Sequence, residues 1–210
     1  MKLAVIGTGN VGGNLGARLS RAGFAVRFGA QSADTKDLLA RCGGDAAALD
    51  VPAAAAWGDI VFFAVPGNVV VELSRSLASA LAGKVVVDCT NALTWNEGPV
   101  WAPPAEGSLT AAIAKAVPQA RVVKAFNTFG AEHHADPERT GAAAHLFMAG
   151  DDSRAKQMVG EIASRAGFRP VDAGPLRNAA VLENLAILWI HLATVGGHGR
   201  NFVFAMQEKQ

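Results

Sequence analysis

The run Gly7-Thr8-Gly9-Asn10-Val11-Gly12 has the spacing G-x-G-x-x-G and follows directly on the apolar stretch Leu3–Ile6. Behind a strand and at the head of a helix, this spacing builds a turn that can hold a pyrophosphate. Gly7 permits the tight turn and Gly9 lets the main chain approach the phosphates. Gly12 lets the helix lie close on the strand, so that the helix N-terminus faces the negative charge. The turn therefore implies a dinucleotide. The second apolar run, Ala25–Phe28, leads into Gly29-Ala30-Gln31-Ser32, with no Asp or Glu at its tip to take the ribose hydroxyls of NAD. That absence leans toward the 2′-phosphate of NADP, with Gln31, Ser32 and Lys36 left to hold it and NAD as the second choice.

Other chemistries leave no signature. There is no HExxH, no GxSxG, and Gly83-Lys84 lacks the rest of a P-loop. The absence of Tyr excludes the Tyr-Lys mechanism of short-chain dehydrogenases. His133 and His134 are adjacent and diverge on any regular element, which predicts a solvated pair rather than a metal site. His191 reads as a buried histidine on an apolar helix, and Cys89, after Asp88 at a strand end, as a packing group. No catalytic side chain and no metal ligand set is expected. With 19 basic against 18 acidic residues, no general field recruits nucleic acid or an anionic membrane. Cys42 and Cys89 form no CxxC, and the opening apolar run is too short for a signal-peptide core. The stretch Leu185 to Val195 falls short of the ~20 residues that span a bilayer. A cytoplasmic setting is expected.

A parallel sheet has to carry these turns. Leu3–Ile6, Ala25–Phe28, Ile60–Val65, Val85–Val87, Val122–Phe126 and His145–Met148 are short apolar runs with β-branched residues, suited to strands covered on both faces. Between them, Val11, Leu15 and Leu19 share one helical face, and Val69 to Leu81 has a similar pattern. The expected fold is α/β: a Rossmann-type, doubly wound, mostly parallel sheet with a short C-terminal helical extension. At 210 residues, half of them hydrophobic, one domain with an appendage fits. Residues 1–150 are expected to form the dinucleotide-binding domain and 151–210 the extension. There Asp151-Asp152-Ser153 opens a helix through Arg165, and a strand follows near Phe168–Asp172. Leu176 to Val195 is a helix apolar on most sides, which completes the site or a dimer interface. Trp95 to Gly107, with Pro99, Pro103 and Pro104, reads as an exposed loop or lid.

Two more segments end strands at the carboxyl edge: Val123-Lys124-Ala125-Phe126-Asn127-Thr128-Phe129-Gly130 and Val171-Asp172-Ala173-Gly174-Pro175-Leu176. With them the sequence resembles the deazaflavin (coenzyme F420)-dependent NADP oxidoreductase family over nearly its whole length. The likeness runs through GTGNVG, the strand Asp59–Pro66 ending in AVP, KAFNTFG, the later AGDD and DAGPLRNAAVLENLA. The glycine motif and AVP are common to many β-hydroxyacid-type Rossmann enzymes, whereas KAFNT followed by DAGPL is much more specific. The resemblance implies hydride transfer between nicotinamide C4 and the central carbon of a deazaflavin, with the protein supplying alignment and exclusion of water. It places the pyrophosphate on Thr8, Gly9, Asn10, Val11 and Gly12, and the adenosine end on Ala30 and Gln31. The nicotinamide side falls on Val65, Pro66, Asn91 and Ala131, and the second carrier lies against Asn127, Thr128 and Phe129. The family commonly has Ser-Arg where this chain has Ala30-Gln31, so an arginine clamp is missing. A membrane metalloreductase family resembles the chain through the same Phe-Asn segment, and there the acceptor is a flavin.

The expected function is thus hydride transfer between NADP(H) and a deazaflavin or flavin, with a small-molecule redox carrier as partner, in a homodimer that binds neither nucleic acid nor membrane. Two alternatives stand beside it. An NADP-dependent dehydrogenase of a small hydroxyacid, imine or pyrroline usually relies on a larger helical C-terminal domain than the ~60 residues beyond the first domain supply. A non-catalytic NADP-binding redox sensor is compatible with the fold, since a Rossmann domain does not itself imply catalysis.

Overall fold

The computed structural model describes residues 1–30 and 35–207. Apolar runs become strands and the segments between them helices: β1 (Lys2–Ile6), α1 (Asn10–Arg21), β2 (Ala25–Gly29), α2 (Lys36–Ala40), β3 (Ala46–Leu49), α3 (Val51–Trp57), β4 (Ile60–Phe63), α4 (Gly67–Ser76), α5 (Ala78–Leu81) and β5 (Val85–Asp88). A hairpin of β6 (Leu93–Trp95) and β7 (Pro99–Trp101) leads to α6 (Leu109–Ala116) and β8 (Arg121–Lys124). Then come α7 (Ala131–Ala135), β9 (His145–Met148), α8 (Ser153–Arg165), β10 (Arg169–Asp172) and α9 (Ala179–Thr194).

Six strands pair in parallel in the order β3-β2-β1-β4-β5-β8. Every residue of β4 and β5 is buried, as strands covered on both faces require. One layer gathers Leu15, Leu19, Phe28, Phe62 and Phe126, and the other Ile6, Ala54, Phe63, Leu81 and Ile113. The sheet is therefore doubly wound, with its order reversing between β1 and β4. Ligands bind in such sheets at that reversal, beyond the carboxyl ends of the strands. β9 and β10 form a second parallel pair, whose register runs from His145 opposite Arg169 to Met148 opposite Asp172, and an antiparallel bridge from Lys124 to Ala149 fastens it to the main sheet.

The structure departs from sequence expectation in four places. β3 is Ala-Ala-Ala-Leu, with none of the β-branched residues that mark a strand, and it forms at the sheet edge by pairing with β2. The stretch from Trp95, read as a loop, contains β7, with Pro99 as its first residue where a strand tolerates proline. β4 and β8 end before Val65 and Phe126, which fall in the turns beyond. The last apolar helix begins as a 3-10 turn over Leu176–Asn178 before α9 proper. The predicted start of α8 is a side-chain cap: Asp152 Oδ1 accepts the Ala155 N–H at 2.7 Å. Among the described residues no helix is long and apolar enough to cross a membrane.

Candidate functional site

The turn after β1 is built from glycine for steric reasons visible at each position. Gly7 has φ +109°, a conformation that L side chains rarely adopt, and its N–H donates to the Gly29 carbonyl at 3.1 Å. A Cβ on Gly12 would collide with the Gly7 carbonyl oxygen, whereas a Cβ on Gly9 would meet nothing within 4 Å. Gly12 thus serves the protein's own packing, and Gly9 faces open space. The first helical bond of α1 runs from the Gly13 N–H to the Gly9 carbonyl at 2.7 Å. The N–H groups of Asn10, Val11 and Gly12 precede it, no side chain among the described residues caps them, and the first turn carries no acidic residue. Such an end attracts an anion. It opens on a cleft of about 460 Å³ bordered by Gly7, Thr8, Gly9, Gly29, Val65 and Pro66, with no ionisable side chain among the described residues of its lining. These features fit a dinucleotide phosphate.

Next to this cleft, beyond Pro66, a second cavity of about 330 Å³ is lined by Gly67, Asn68, Asn91, Leu93 and Pro103 among others. Asn91, after β5, is tied to Asn127, after β8, by two bonds. Asn127 Nδ2 donates to Asn91 Oδ1 at 2.9 Å, and Asn91 Nδ2 donates to the Asn127 carbonyl at 3.2 Å. The other Nδ2 proton of Asn127 goes to the Leu182 carbonyl on α9 at 3.0 Å. Asn127 Oδ1 is buried without a partner among the described residues. The turn that presents Asn127 passes through Phe126 at φ +63°, a strained state for a bulky residue of the kind that clusters at functional sites. The Phe126 carbonyl is held by His134 Nε2 at 2.9 Å. Burial pushes the His134 pKa down to about 4, so its ring is neutral and has one N–H, which the shorter distance puts on Nε2.

Behind this pair lies an ion network that the sequence reading assigned no role. Lys124, Asp88 and Glu183 are each fully buried. Lys124 Nζ donates to Asp88 Oδ2 at 3.0 Å, to Glu183 Oε1 at 3.3 Å and to the Thr90 carbonyl. Asp88 also accepts from the Thr90 N–H, the Thr90 hydroxyl and the Thr110 hydroxyl. Glu183 accepts from the Leu109 N–H at 2.9 Å and from Trp101 Nε1 at 3.1 Å. The charges are buried but bonded on every side, which is the condition for tolerating them. A signal existed: Asp88, Lys124 and Glu183 are lone charges that end or interrupt otherwise apolar runs.

The structure brings together Thr8, Gly9, Val65 and Pro66 at one cleft, places Asn10, Val11 and Gly12 in the first turn of α1, and pairs Asn91 with Asn127. Ala131 heads α7, and its carbonyl accepts from Asn14 Nδ2 on α1 at 2.9 Å. Ala30 extends β2, donating to the Leu49 carbonyl at 3.0 Å. Lys36 is exposed at the head of α2, and Gln31 and Ser32 lie outside the described residues. Thr128 is buried. Phe129 is likewise buried, its ring stacked on Phe168 at 5.6 Å and 4.9 Å from the His134 ring. His133 and His134 are buried, not solvated, because α7 lies against α1 and the Phe126–Phe129 turn. His191 is exposed, because α9 turns Leu182, Ala186 and Trp189 inward instead. Cys89 is buried, and burial with the neighbouring Asp88 pushes its pKa far up, so it stays a thiol.

Residues 2–92 match the family described as NADP oxidoreductase, coenzyme F420-dependent. The chain is 28% identical to the F420-dependent NADP reductase of Methanothermobacter thermautotrophicus, over 91% of this chain and 89% of that protein. It is 30% identical to metalloreductase STEAP3 of Rattus norvegicus over 89% of its own length, but spans only 36% of that protein. A crystal structure from Arthrobacter sp. FB24, assigned as a candidate F420-dependent NADP reductase, superposes with a TM-score of 0.86 at 30% identity, covering 99% of this chain and all of the other. By this end-to-end likeness and the family match through the glycine turn and β4, the chain belongs to the coenzyme F420-dependent NADP oxidoreductase family.

Proposed function

We propose that the chain transfers a hydride between NADP(H) and a deazaflavin, coenzyme F420 before flavin. The observation that carries this reading is the open space at Gly9 under the uncapped α1, facing a cleft whose other wall is Val65 and Pro66. When bound, the two carriers supply the chemistry, a hydride leaving nicotinamide C4 for the central ring carbon of the acceptor while a water-derived proton goes to an acceptor nitrogen. The chain's own part is binding, alignment and exclusion of water, and the described residues of the cleft lining are apolar or neutral. Gly7 to Gly12 hold the phosphates, Val65, Pro66, Asn91 and Ala131 border the nicotinamide, and Asn127 and Thr128 border the acceptor with Phe129 bracing them from the core. Residues 1–150 hold the dinucleotide, and 151–210 close the acceptor side through α9. Free Cys42 and Cys89 suit a reducing cytoplasm.

NADP is preferred over NAD, but modestly. Arg27 is occupied by Asp45 at 2.9 Å and by the Trp57 ring, and Arg41 by Asn14 at 2.9 Å, which leaves Gln31, Ser32 and Lys36 for the 2′-phosphate. The test is anaerobic oxidation of NADPH and NADH with F420, FMN, FAD or riboflavin, beside calorimetric titration of both nucleotides at fixed salt. Turnover with F420 and about tenfold tighter NADPH are expected. Tight NADPH binding with no oxidation by any of the four would leave a redox sensor instead. Flavin, the acceptor implied by the resemblance to the membrane metalloreductase family, is the second reading, and faster turnover with FMN or FAD than with F420 would select it.

A further inference from the structure

Two residues fix the Asn127 carboxamide, and each sits beside a partner of the buried Lys124 ammonium. Asn91 Oδ1 takes one Nδ2 proton, and its neighbour Thr90 gives its carbonyl to Lys124 Nζ. The Leu182 carbonyl takes the other proton, and its neighbour Glu183 meets Lys124 Nζ at 3.3 Å. Lys124 itself lies three residues before Asn127, with only Ala125 and the strained Phe126 between. One ammonium therefore sets the spacing of the β5 turn, the β8 turn and α9 around a single amide. Glu183 extends the frame, since its carboxylate also holds the Leu109 N–H at the head of α6 and Trp101 Nε1 on the hairpin.

With both Nδ2 protons committed, Asn127 cannot flip its amide without losing two bonds, and its one uncommitted atom is the buried Oδ1. A buried acceptor without a partner is costly and rare in native proteins unless something supplies a donor. We propose that Lys124 and Glu183 are positioning residues that act through Asn127, holding its Oδ1 as an acceptor for an N–H of the bound carriers. This rests on the hydride-transfer reading for its purpose but not for its geometry. Two sources offer such a donor: the carboxamide of nicotinamide and the ring imide N–H of a deazaflavin or flavin.

Glu183→Gln tests it, because glutamine keeps the shape and removes the charge, and its amide N–H cannot accept from Trp101 as the carboxylate does. In the native chain both Asn127 side-chain amide protons should exchange slowly with solvent by NMR, and in Glu183→Gln about tenfold faster. Binding of 2′-phospho-ADP-ribose, which lacks nicotinamide, should stay within about twofold, reporting an intact fold and phosphate turn. Hydride transfer should fall by about ten- to a hundredfold. The same substitution in an Asn127→Ala background should cost nothing further, because the effect travels through Asn127. Weaker NADPH binding would assign the donor to nicotinamide, and a raised KM for the acceptor alone would assign it to the second carrier; either supports the proposal. Unchanged exchange at Asn127, or losses that add in the double variant, would overturn it. Should Glu183→Gln not fold, Trp101→Phe takes one bond from the same carboxylate and is read by the same exchange and double-variant comparison. If the native chain turns over no acceptor while Asn127 still responds to Glu183, the positioning stands and the hydride-transfer reading falls.

Discussion

At the residue scale, two glycines of one motif carry opposite consequences. Gly12 is packed against the Gly7 carbonyl and the Ala64 side chain, while Gly9, at φ −71° and so free of backbone strain, faces open space. Gly12→Ala should therefore destabilise the apo protein by about 1–3 kcal/mol, the scale of overpacking. Gly9→Ala should change apo stability by less than about 0.5 kcal/mol and yet weaken NADPH binding, since its methyl group projects where the phosphates would lie. Urea unfolding without ligand and calorimetric titration with NADPH separate the two, and an apo stability loss at Gly9 equal to that at Gly12 would refute the division. These roles were legible in the sequence because they follow from spacing within six residues. Lys124 and Glu183 were not, because they are 59 positions apart and only the tertiary fold brings the start of α9 to the end of β8. The stacking of Phe129 on Phe168 was hidden for the same reason, since nothing local joins positions 129 and 168.

At the element scale, short all-apolar strands and capped helices could be read because periodicity and caps are local, whereas β3 and the β6–β7 hairpin exist through pairing. α7 shows how much such context changes a residue. Its two histidines point to different partners, His134 to the Phe126 carbonyl and His133 Nε2 to the Arg200 carbonyl at 3.3 Å. Burial holds the pKa of both below the ordinary value, that of His134 at about 4. In the unfolded chain His134 takes a proton near pH 6.5, and in the folded chain only near 4, so between these values the unfolded state binds more protons. Stability should consequently fall as pH drops from 6.5 to 4, by about 3 kcal/mol from His134 alone, and this contribution should level off below 4. Urea unfolding across that window in the native chain and in His134→Gln isolates the term from the carboxylates. A variant with the native pH slope would show that His134 is not its source.

At the scale of the whole molecule, the doubly wound, mostly parallel sheet followed from the strand–helix alternation, but α9 shows what a chain-level pattern leaves undecided. A helix apolar on most sides suits either the interior or a partner subunit, and here it meets the interior on one side only. Leu182, Ala186 and Trp189 pack inward, while Val181 is 63%, Leu188 47% and Val195 49% exposed. The hairpin continues that surface: Trp95 is 58% exposed, and a Cβ on Gly98 at the turn would lie 3.4 Å from the Val195 side chain. Val181, Leu188 and Val195 recur every seven residues and so share one side of α9, with the exposed Asn184 and His191 between them, and large exposed apolar side chains grouped in this way mark interaction surfaces. Helices also self-associate most simply about a two-fold axis, where each residue of the stripe meets its own copy's neighbour. We propose a homodimer through this face. Because α9 also carries Leu182 and Glu183 on its inner side, a partner pressed on its outer side would stiffen the frame around Asn127. Light scattering at micromolar concentration should give twice the chain mass for the native protein, and the mass of a single chain for Val181→Asp with Leu188→Asp. That variant should still bind 2′-phospho-ADP-ribose, since neither residue borders the phosphate turn. A native protein that scatters as a monomer would remove the dimer and leave the outer face of α9 simply exposed to solvent.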